Sequence, residues 1–249
     1  MKRNGEKWLL VAWLAAASLA MLDRPVVAQT VTTHLADNAF TFVRIRWKAP
    51  DYARFMRFYF NSGPPWSHDY PTAEENMYTA LRLLTQLPVT GEAKILTLDN
   101  DEIFDYPMLY ICEIGVWEPS DAEVKRLGEY LKRGGFLIVD DFRGRRELLN
   151  LIRQMKRIVP EFTYRKLQAD HPIFHCFFEF SSLVYDSPYL SAGYFPEYYG
   201  WFDPHGRMAA IVNYNNDIGD GWEWPEENEI FSAEAFKLGI NYIIYSLTH

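Results

Sequence analysis

The sequence contains little cysteine, and this limits how the fold can be held together. Its 249 residues include two cysteines, Cys112 and Cys176, which are too few for the disulfide framework of a small secreted domain. Each lies in an apolar segment, MLYIC or IFHCFF. Because buried cysteine behaves as a small apolar side chain, we predict two unpaired thiols in the core.

An excess of positive charge is also missing. Lys and Arg together number 25 against 33 Asp and Glu, which gives a net charge of −8. This balance does not suit nucleic acid or an anionic membrane surface, and we expect neither as a partner. The sequence shows no internal repeat and no low-complexity linker. We therefore predict one domain over residues 40–249, after a short lead over residues 29–39.

No apolar run at the N-terminus is long enough for an ordinary membrane span. WLLVAWLAAASLAML follows Lys2, Arg3 and Lys7 and is shorter than the roughly 20 residues that a spanning helix needs. With the small-residue exit that ends at Ala28, the pattern is typical of a secretory signal peptide. We predict a signal peptide over residues 1–28, a periplasmic or secreted mature chain and no span after cleavage. An uncleaved N-terminal anchor is the alternative.

Amphipathic helices alternate with apolar strands along most of the chain. Helical spacing predicts helices over 73–87, from 121 to the glycines at 134–135, over 144–158, and in the closing segment AEAFKLGINYIIYSLT. The predicted strands are FTFVRIRW, AKILTL, PMLYICEI, FLIVDD and RMAAIVNYN. Strands that are apolar throughout indicate a parallel sheet covered on both faces. The predicted fold class is α/β, a three-layer α/β/α sandwich with a mostly parallel sheet.

Local patterns add expectations about individual side chains. The alternation in FTFVRIRW places Arg44 and Arg46 on the less buried face of the first strand. The sequences starting at Thr72 and Ser120 predict capping boxes at the starts of two helices. In the helix over 144–158, the residues that we expect to face the core are Leu148, Leu149, Ile152 and Met155.

Four motifs that occur in one order carry a family resemblance. They are WSHDYP followed by a helix, SDAEVKRLGEYLKRGGFLIVDD, DHPIF and FKLGINYIIYSLT. In this order they resemble the bacterial family called domain of unknown function 4159 (DUF4159), from about Phe40 to the C-terminus. The resemblance implies a flavodoxin-like fold of the class I glutamine amidotransferase type. It implies no established activity.

The amidotransferase comparison can be tested on the cysteine. Those enzymes place a nucleophilic Cys in a G-x-C-x-G turn between a strand and a helix, where the glycines permit the strained turn. Here Cys112 lies in YICEIG, without glycines at those positions. FLIVDD corresponds better to the strand that would carry the nucleophile, and it ends in aspartates. We therefore do not predict glutaminase activity.

The acidic pair at the end of FLIVDD is the first candidate for a ligand site. Ligands of open parallel sheets bind outside the carboxyl ends of the strands, where Asp140 and Asp141 lie. Neighbouring side chains of a strand point in opposite directions. We expect one aspartate in the site, while the other caps the next helix or organises the turn with Arg143. The alternative is that Asp141 and Arg143 only organise this turn.

Four further residues are candidate ligand contacts. His68 and Asp69 lie before a predicted helix, in a segment without apolar periodicity. Asp217 follows the strand AAIVNYN, and His171 begins the HPIF turn, where a structural role is the alternative. A metal site would combine His68 or Asp69 with Asp140 and Asp217. No compact ligand motif is present, so the sequence identifies no metal site and no cofactor.

The aromatic content of 16% fits two uses. Tyr and Trp in irregular segments can stack on sugars, or they can cover an edge of the sheet. The leading functional prediction is an exported, non-glutaminase binding or assembly module of the bacterial cell envelope, with a saccharide or protein as partner. The alternative is a hydrolase of carbohydrate or another envelope polymer, with an Asp/His site that works with or without a metal. Convergence of the candidate residues favours the hydrolase, and scattering of them favours the binding module.

Overall fold

A computed structural model of the protein describes residues 39–50, 63–183, 187 and 189–249. The predicted signal peptide over residues 1–28 and nearly all of the predicted lead lie outside the described residues. Every helix in the described part of the chain is too short or too polar to cross a membrane.

Seven strands form one sheet, in the order β2-β1-β3-β4-β7-β6-β5. The strands are β1 (Val43–Ile45), β2 (Lys94–Leu96), β3 (Met108–Cys112), β4 (Phe136–Phe142), β5 (Thr163–Lys166), β6 (Glu197–Phe202) and β7 (Met208–Tyr214). The five strands β2, β1, β3, β4 and β7 are parallel, and β6 and β5 are antiparallel. The predicted α/β class with a mostly parallel sheet is confirmed.

Five helices accompany the sheet: α1 (Thr72–Leu84), α2 (Asp121–Lys132), α3 (Gly144–Ile158), α4 (Ile218–Glu223) and α5 (Glu229–Thr248). Alternate residues of β4 belong to two separate apolar clusters. Phe136 and Ile138 pack in the cluster that contains residues of α1 and α5. Leu137 and Val139 pack in the cluster that contains residues of α2 and α3. Because both faces are covered, the central strands are apolar at successive positions.

The antiparallel edge of the sheet was not predicted. All four residues of β5 are exposed, so the strand lacks an apolar pattern that the sequence could reveal. The segment HPIFHCFFEF, which begins with the predicted HPIF turn, forms a short 3-10 helix at Pro172–Phe174. The prediction of unpaired thiols is confirmed, with Cys112 buried and Cys176 half-buried.

Two expectations, one about a side chain of β1 and one about the start of α1, were wrong. Arg44 is fully buried, because its guanidinium forms an ion pair with Glu74 of α1. Its Nη1 also donates to the backbone carbonyls of Trp66 and His68, at 3.2 and 2.9 Å. The capping box predicted at Thr72 is absent, because the N-cap residue is Pro71.

The second predicted capping box is present, with Ser120 at the N-cap of α2 and Glu123 three residues later. In α3, Leu149 is 52% exposed, contrary to prediction. Asn150 takes the inward position beside it, because its amide donates to the backbone carbonyls of Ile114 and Trp117. These hydrogen bonds join α3 to the loop that follows β3.

The Arg44–Glu74 ion pair supplies a stability test. We expect Arg44→Met to lower the free energy of unfolding by about 3–5 kcal/mol, because it leaves the Glu74 charge buried without its partner. The double variant Arg44→Met/Glu74→Met should recover most of this loss, since no unpaired charge remains. Urea denaturation measures both values. A single variant as stable as the parent would contradict the structural role of the pair.

Candidate functional site

Polar and charged side chains converge at the carboxyl ends of the central strands. Glu113 follows β3, Asp141 lies near the end of β4, and Asp217 follows β7. His68 and Asp69 reach the same place from the loop before α1, and Asp220 and Glu223 from α4. We call these seven residues the acidic cluster: His68, Asp69, Glu113, Asp141, Asp217, Asp220 and Glu223.

The imidazole of His68 lies between two carboxylates. Its Nδ1 is 3.2 Å from Asp69 Oδ1 and 3.3 Å from Asp141 Oδ2. Neither contact has hydrogen-bond geometry, and these three buried atoms have no hydrogen-bond partner. The two hydrogen bonds from Arg44 to the carbonyls of Trp66 and His68 hold this loop in place. Such buried polar atoms are costly unless a further group satisfies them.

Glu113 and Asp141 bring the ends of β3 and β4 together. The Glu113 N–H donates to the Asp141 carbonyl at 3.1 Å. The strand pairing of β4 with β7 shifts between Val139 and Phe142, and bulges of this kind redirect side chains beside active sites.

Left-handed backbone conformations are concentrated around the cluster. Among the described residues, the non-glycine positions with positive φ are Asp69 (65°), Glu113 (56°), Asp141 (48°) and Asn215 (58°). Three of these belong to the acidic cluster, and Asn215 lies two residues before Asp217. Such conformations are unfavourable for L-residues and tend to gather at functional sites.

The hydroxyl of Tyr189 lies between the carboxyl groups of Asp141 and Asp217, and its contacts indicate which of the two is protonated. Its hydroxyl is 2.8 Å from Asp141 Oδ1 and 2.8 Å from Asp217 Oδ2. A hydroxyl carries one proton, so both contacts can be hydrogen bonds only when one carboxyl is protonated. Burial and the charge of Asp141 raise the pKa of Asp217 well above its usual range. Asp217 is therefore the protonated partner and donates to Tyr189, which donates to Asp141.

Asp140 is separate from this arrangement. It is fully buried and accepts hydrogen bonds from Tyr110 Oη, Asn213 Nδ2 and the N–H groups of Ile218 and Gly219, at 2.9 to 3.3 Å. These bonds join β3, β7 and the start of α4 to the end of β4. The two aspartates thus have different environments, with Asp140 inside the fold and Asp141 in the cluster. Asp141 Oδ1 also lies 3.3 Å from Arg143 Nη2.

His171 does not join the cluster. Its ring packs near Phe202 and Tyr245, and its Nδ1 accepts from the Ile173 N–H at 3.3 Å. Phe202 pairs with Met208 at the start of β7, so His171 lies at the opposite end of the parallel strands. This placement fits the structural role that was the alternative for this residue.

Sequence reasoning missed three acidic members of the cluster. Glu113 lies near the carboxyl end of the predicted strand PMLYICEI, which is the same signal that identified Asp140 and Asp141 at the end of FLIVDD. Asp220 and Glu223 lie in a segment for which no helix was predicted, and this segment forms the helix α4 with Asp217 as its N-cap. Their three-residue spacing places them on one side of that helix.

Burial and mutual repulsion favour protons or cations in the cluster. Burial raises the pKa of Asp69 from 3.8 to about 8. Burial and the Asp141 charge raise the pKa of Glu113 from 4.5 to about 9. The Asp141 carboxylate raises the pKa of His68 from 6.5 to about 9. Although burial opposes it, interaction with His68 and Arg143 holds the pKa of Asp141 below its usual value.

Two groups of side chains have the geometry of cation sites. His68, Glu113 and Asp141 each offer one ligand atom, all within 4.8 Å of one another. Asp69, Asp220 and Glu223 do the same. Imidazole nitrogen with carboxylate oxygen suits zinc, manganese or iron, and oxygen alone suits magnesium, manganese or calcium.

Comparison with known proteins gives a family but no activity. The family model described as Domain of unknown function (DUF4159) matches residues 54–247. This range contains the whole acidic cluster. No curated protein matches the chain.

The raised pKa values predict how stability depends on pH. Asp69, Glu113 and His68 keep protons in the folded chain at pH values where the unfolded chain has lost them, so the free energy of unfolding falls as pH rises. The contribution of Asp141 to the free energy of unfolding changes with pH in the opposite direction. Because its pKa is lowered in the folded chain, the stability that it contributes is lost only in acid. We expect stability without divalent cations to decrease from about pH 5 to about pH 8, measured by urea denaturation with a chelator. The other titratable or charged groups that act on these residues include Arg44, Arg143, Asp217, Asp220 and Glu223.

Glu113→Gln is the control for this titration. Since glutamine does not titrate, the variant should show a flatter decrease over the same range. A free energy of unfolding that rises or stays constant across the range would contradict the prediction.

The left-handed φ of Glu113 predicts an unusual order of two substitutions. Glu113→Gly should be more stable than Glu113→Ala by about 1–2 kcal/mol, because only glycine adopts this conformation without steric cost. Glu129 is an exposed position inside α2, where glycine should instead be less stable than alanine by about 1 kcal/mol. Thermal and urea denaturation of the four variants checks this reversal. The same order at both positions would show that Glu113 is not strained.

Proposed function

The chain belongs to the DUF4159 family, and we propose that it is a hydrolase of carbohydrate or another polymer of the bacterial cell envelope. A divalent cation bound by His68, Glu113 and Asp141 provides its chemistry. The observation that carries this proposal is the convergence of three ligand atoms, all within 4.8 Å, from three separate segments of the chain.

The donor atoms of this group fit a catalytic cation. One imidazole and two carboxylates make three protein ligands, which leaves a coordination position for water. His68 Nδ1 and Asp141 Oδ2 are buried and have no hydrogen-bond partner. A cation would satisfy both atoms at once, which a proton between the poorly aligned pair does not.

Hydrolysis at this site follows from the properties of the bound cation. His68, Glu113 and Asp141 would hold the cation, which would supply hydroxide from water near neutral pH. Hydroxide supplied in this way would bond to the electrophilic atom of the substrate while the bond to the leaving oxygen breaks. A carboxylate of Glu113 or Asp141 would accept the water proton, which would then pass to the leaving oxygen. The products together contain the added water.

Arg143 provides a contact for an acidic group of the substrate. Its guanidinium lies 3.8 Å from the centre of the Tyr189 ring, and its side chain is 36% exposed beside Asp141. The ring holds the guanidinium in one plane. The exposed N–H groups can then bind a substrate carboxylate or phosphate close to the cation.

The exported location and the finer fold type are part of the same proposal. The signal-peptide pattern over residues 1–28 supports export. The two apolar clusters on opposite faces support a three-layer, amidotransferase-like sandwich, in which β4 delivers Asp141 where those enzymes place a cysteine. Burial raises the pKa of the Cys112 thiol well above its usual range, which does not support thiolate chemistry.

A non-catalytic binding or assembly module of the envelope is the second candidate function. The exposed edge strand β5 favours it, since such an edge can pair with an extended partner. Tyr164 of this strand is 43% exposed and stacks on Trp201 with ring centres 5.0 Å apart, which also offers a surface for a sugar. This candidate predicts binding of envelope material without turnover.

Cation binding and turnover test the hydrolase directly. We expect Zn²⁺ or Mn²⁺ to raise the thermal midpoint of the chelator-treated chain, since a ligand at a hundred times its dissociation constant contributes about 2.7 kcal/mol. The same cations should start the release of soluble fragments from isolated envelope polymers. Glu113→Gln and Asp141→Asn should weaken both effects, because each removes a charged ligand.

Asp99→Asn is the matched control, since Asp99 is exposed and outside the cluster, and it should behave as the parent chain does. Asp140→Asn tests the fold and not the site, since Asp140 lies outside the acidic cluster. This variant should lower the stability of the chain, because it weakens the hydrogen bonds that Asp140 accepts. Fragment release that persists in a chelator and in Asp141→Asn would overturn the proposal. Binding of polymer with no release under any cation would favour the binding module.

A further inference from the structure

A second cation position adjoins the first. We propose that Asp69, Asp220 and Glu223 bind a second divalent cation through carboxylate oxygens, so that the acidic cluster holds a pair of cations. The inference deepens the proposed function, because it enlarges the same site. A binding measurement tests it without any measurement of hydrolysis, so the two proposals can fail separately.

Asp69 supplies the main observation. Its side chain is more than nine-tenths buried, with 4% of the residue exposed. Neither carboxylate oxygen has a hydrogen-bond partner. In a folded protein, an ionised carboxylate with no donor is costly to bury, and a bound cation removes this cost by coordinating the free oxygens.

The fold brings α4 close to this carboxylate. A Cβ atom on Gly219 would lie 2.5 Å from Asp69 Oδ2, so only glycine permits this approach. Asn76 of α1 donates to the carbonyl of Trp222 at 2.8 Å, which holds the end of α4 against α1. Asp220 and Glu223 therefore present their carboxylates beside Asp69, with one ligand atom from each of the three within 4.8 Å of the others.

Charge balance also favours a cation here. Within the part of the chain that the structure describes, no Lys or Arg forms an ion pair with Asp69, Asp220 or Glu223. Arg44, a buried cation of β1, is paired with Glu74 of α1. Three carboxylates that share one small volume repel one another unless protons or a metal ion neutralise them.

His68 lies between the two cation positions. Its Nδ1 lies within 3.3 Å of both Asp69 Oδ1 and Asp141 Oδ2, so one carboxylate of each position contacts the same nitrogen. The first position offers nitrogen and oxygen, and the second offers oxygen only. Because manganese accepts both kinds of ligand, Mn²⁺ is the probe that should fill both positions.

Mn²⁺ stoichiometry tests the pair. Chelator-treated chain from residue 29 onwards is titrated with Mn²⁺ by calorimetry, and the bound ions are examined by electron paramagnetic resonance. We expect two Mn²⁺ per chain and a spin-coupled spectrum. Glu223→Gln and Asp220→Asn should each bind one Mn²⁺ with an uncoupled spectrum, because the first position is intact. Glu227→Gln, an exposed neighbour, should bind two.

The possible outcomes separate the two proposals. One Mn²⁺ in the parent chain, or two in both Glu223→Gln and Asp220→Asn, would overturn the second position. Two bound Mn²⁺ ions without hydrolysis would support the pair and overturn the proposed reaction. Hydrolysis with one bound ion would support the proposed reaction and overturn the second cation position. Circular dichroism of each variant confirms that the loss of an ion does not reflect loss of the fold.

Discussion

The hydrogen bonds to one buried carboxylate determine how the ends of the central strands are arranged. Asp140 accepts from Tyr110 on β3, Asn213 on β7 and the first N–H groups of α4. A fully buried carboxylate is tolerated only when donors of this kind surround it. The next residue, Asp141, has a left-handed conformation, and the hydrogen bonds from Ile218 and Gly219 hold the start of α4 at the end of β4.

A second buried charge determines the other half of the site. Arg44 lies in β1, pairs with Glu74 of α1, and donates to two carbonyls of the loop that carries His68. The ion pair offsets the cost of burying each charge, and Nη1 of the guanidinium holds the loop through its two hydrogen bonds. Structural charges thus surround the acidic cluster and place its members, and the cluster itself contains carboxylate and imidazole atoms without hydrogen-bond partners.

The sequence predicted most of the central fold, because apolar strands and amphipathic helices leave clear periodic patterns. The predicted strands around β1, β2, β3, β4 and β7 all exist. The exposed edge strand β5 has no such pattern and was missed, as was β6. In the site, His68, Asp69, Asp141 and Asp217 were identified by their positions after strands or before a helix. Arg44 was misplaced, because alternation alone cannot show that a charged residue has a buried partner 30 residues away.

By itself, the sequence determined which residues lie in strands and helices and that carboxylates collect at the ends of parallel strands. These properties depend on local periodicity and on the direction of the strands. Only the tertiary structure decided that Asp140 is enclosed by donors while Asp141 faces His68, and that Glu113, Asp220 and Glu223 belong to the same cluster. Distances between segments far apart in the chain, and the balance of burial and hydrogen bonding at each carboxylate, arise only when the chain is folded.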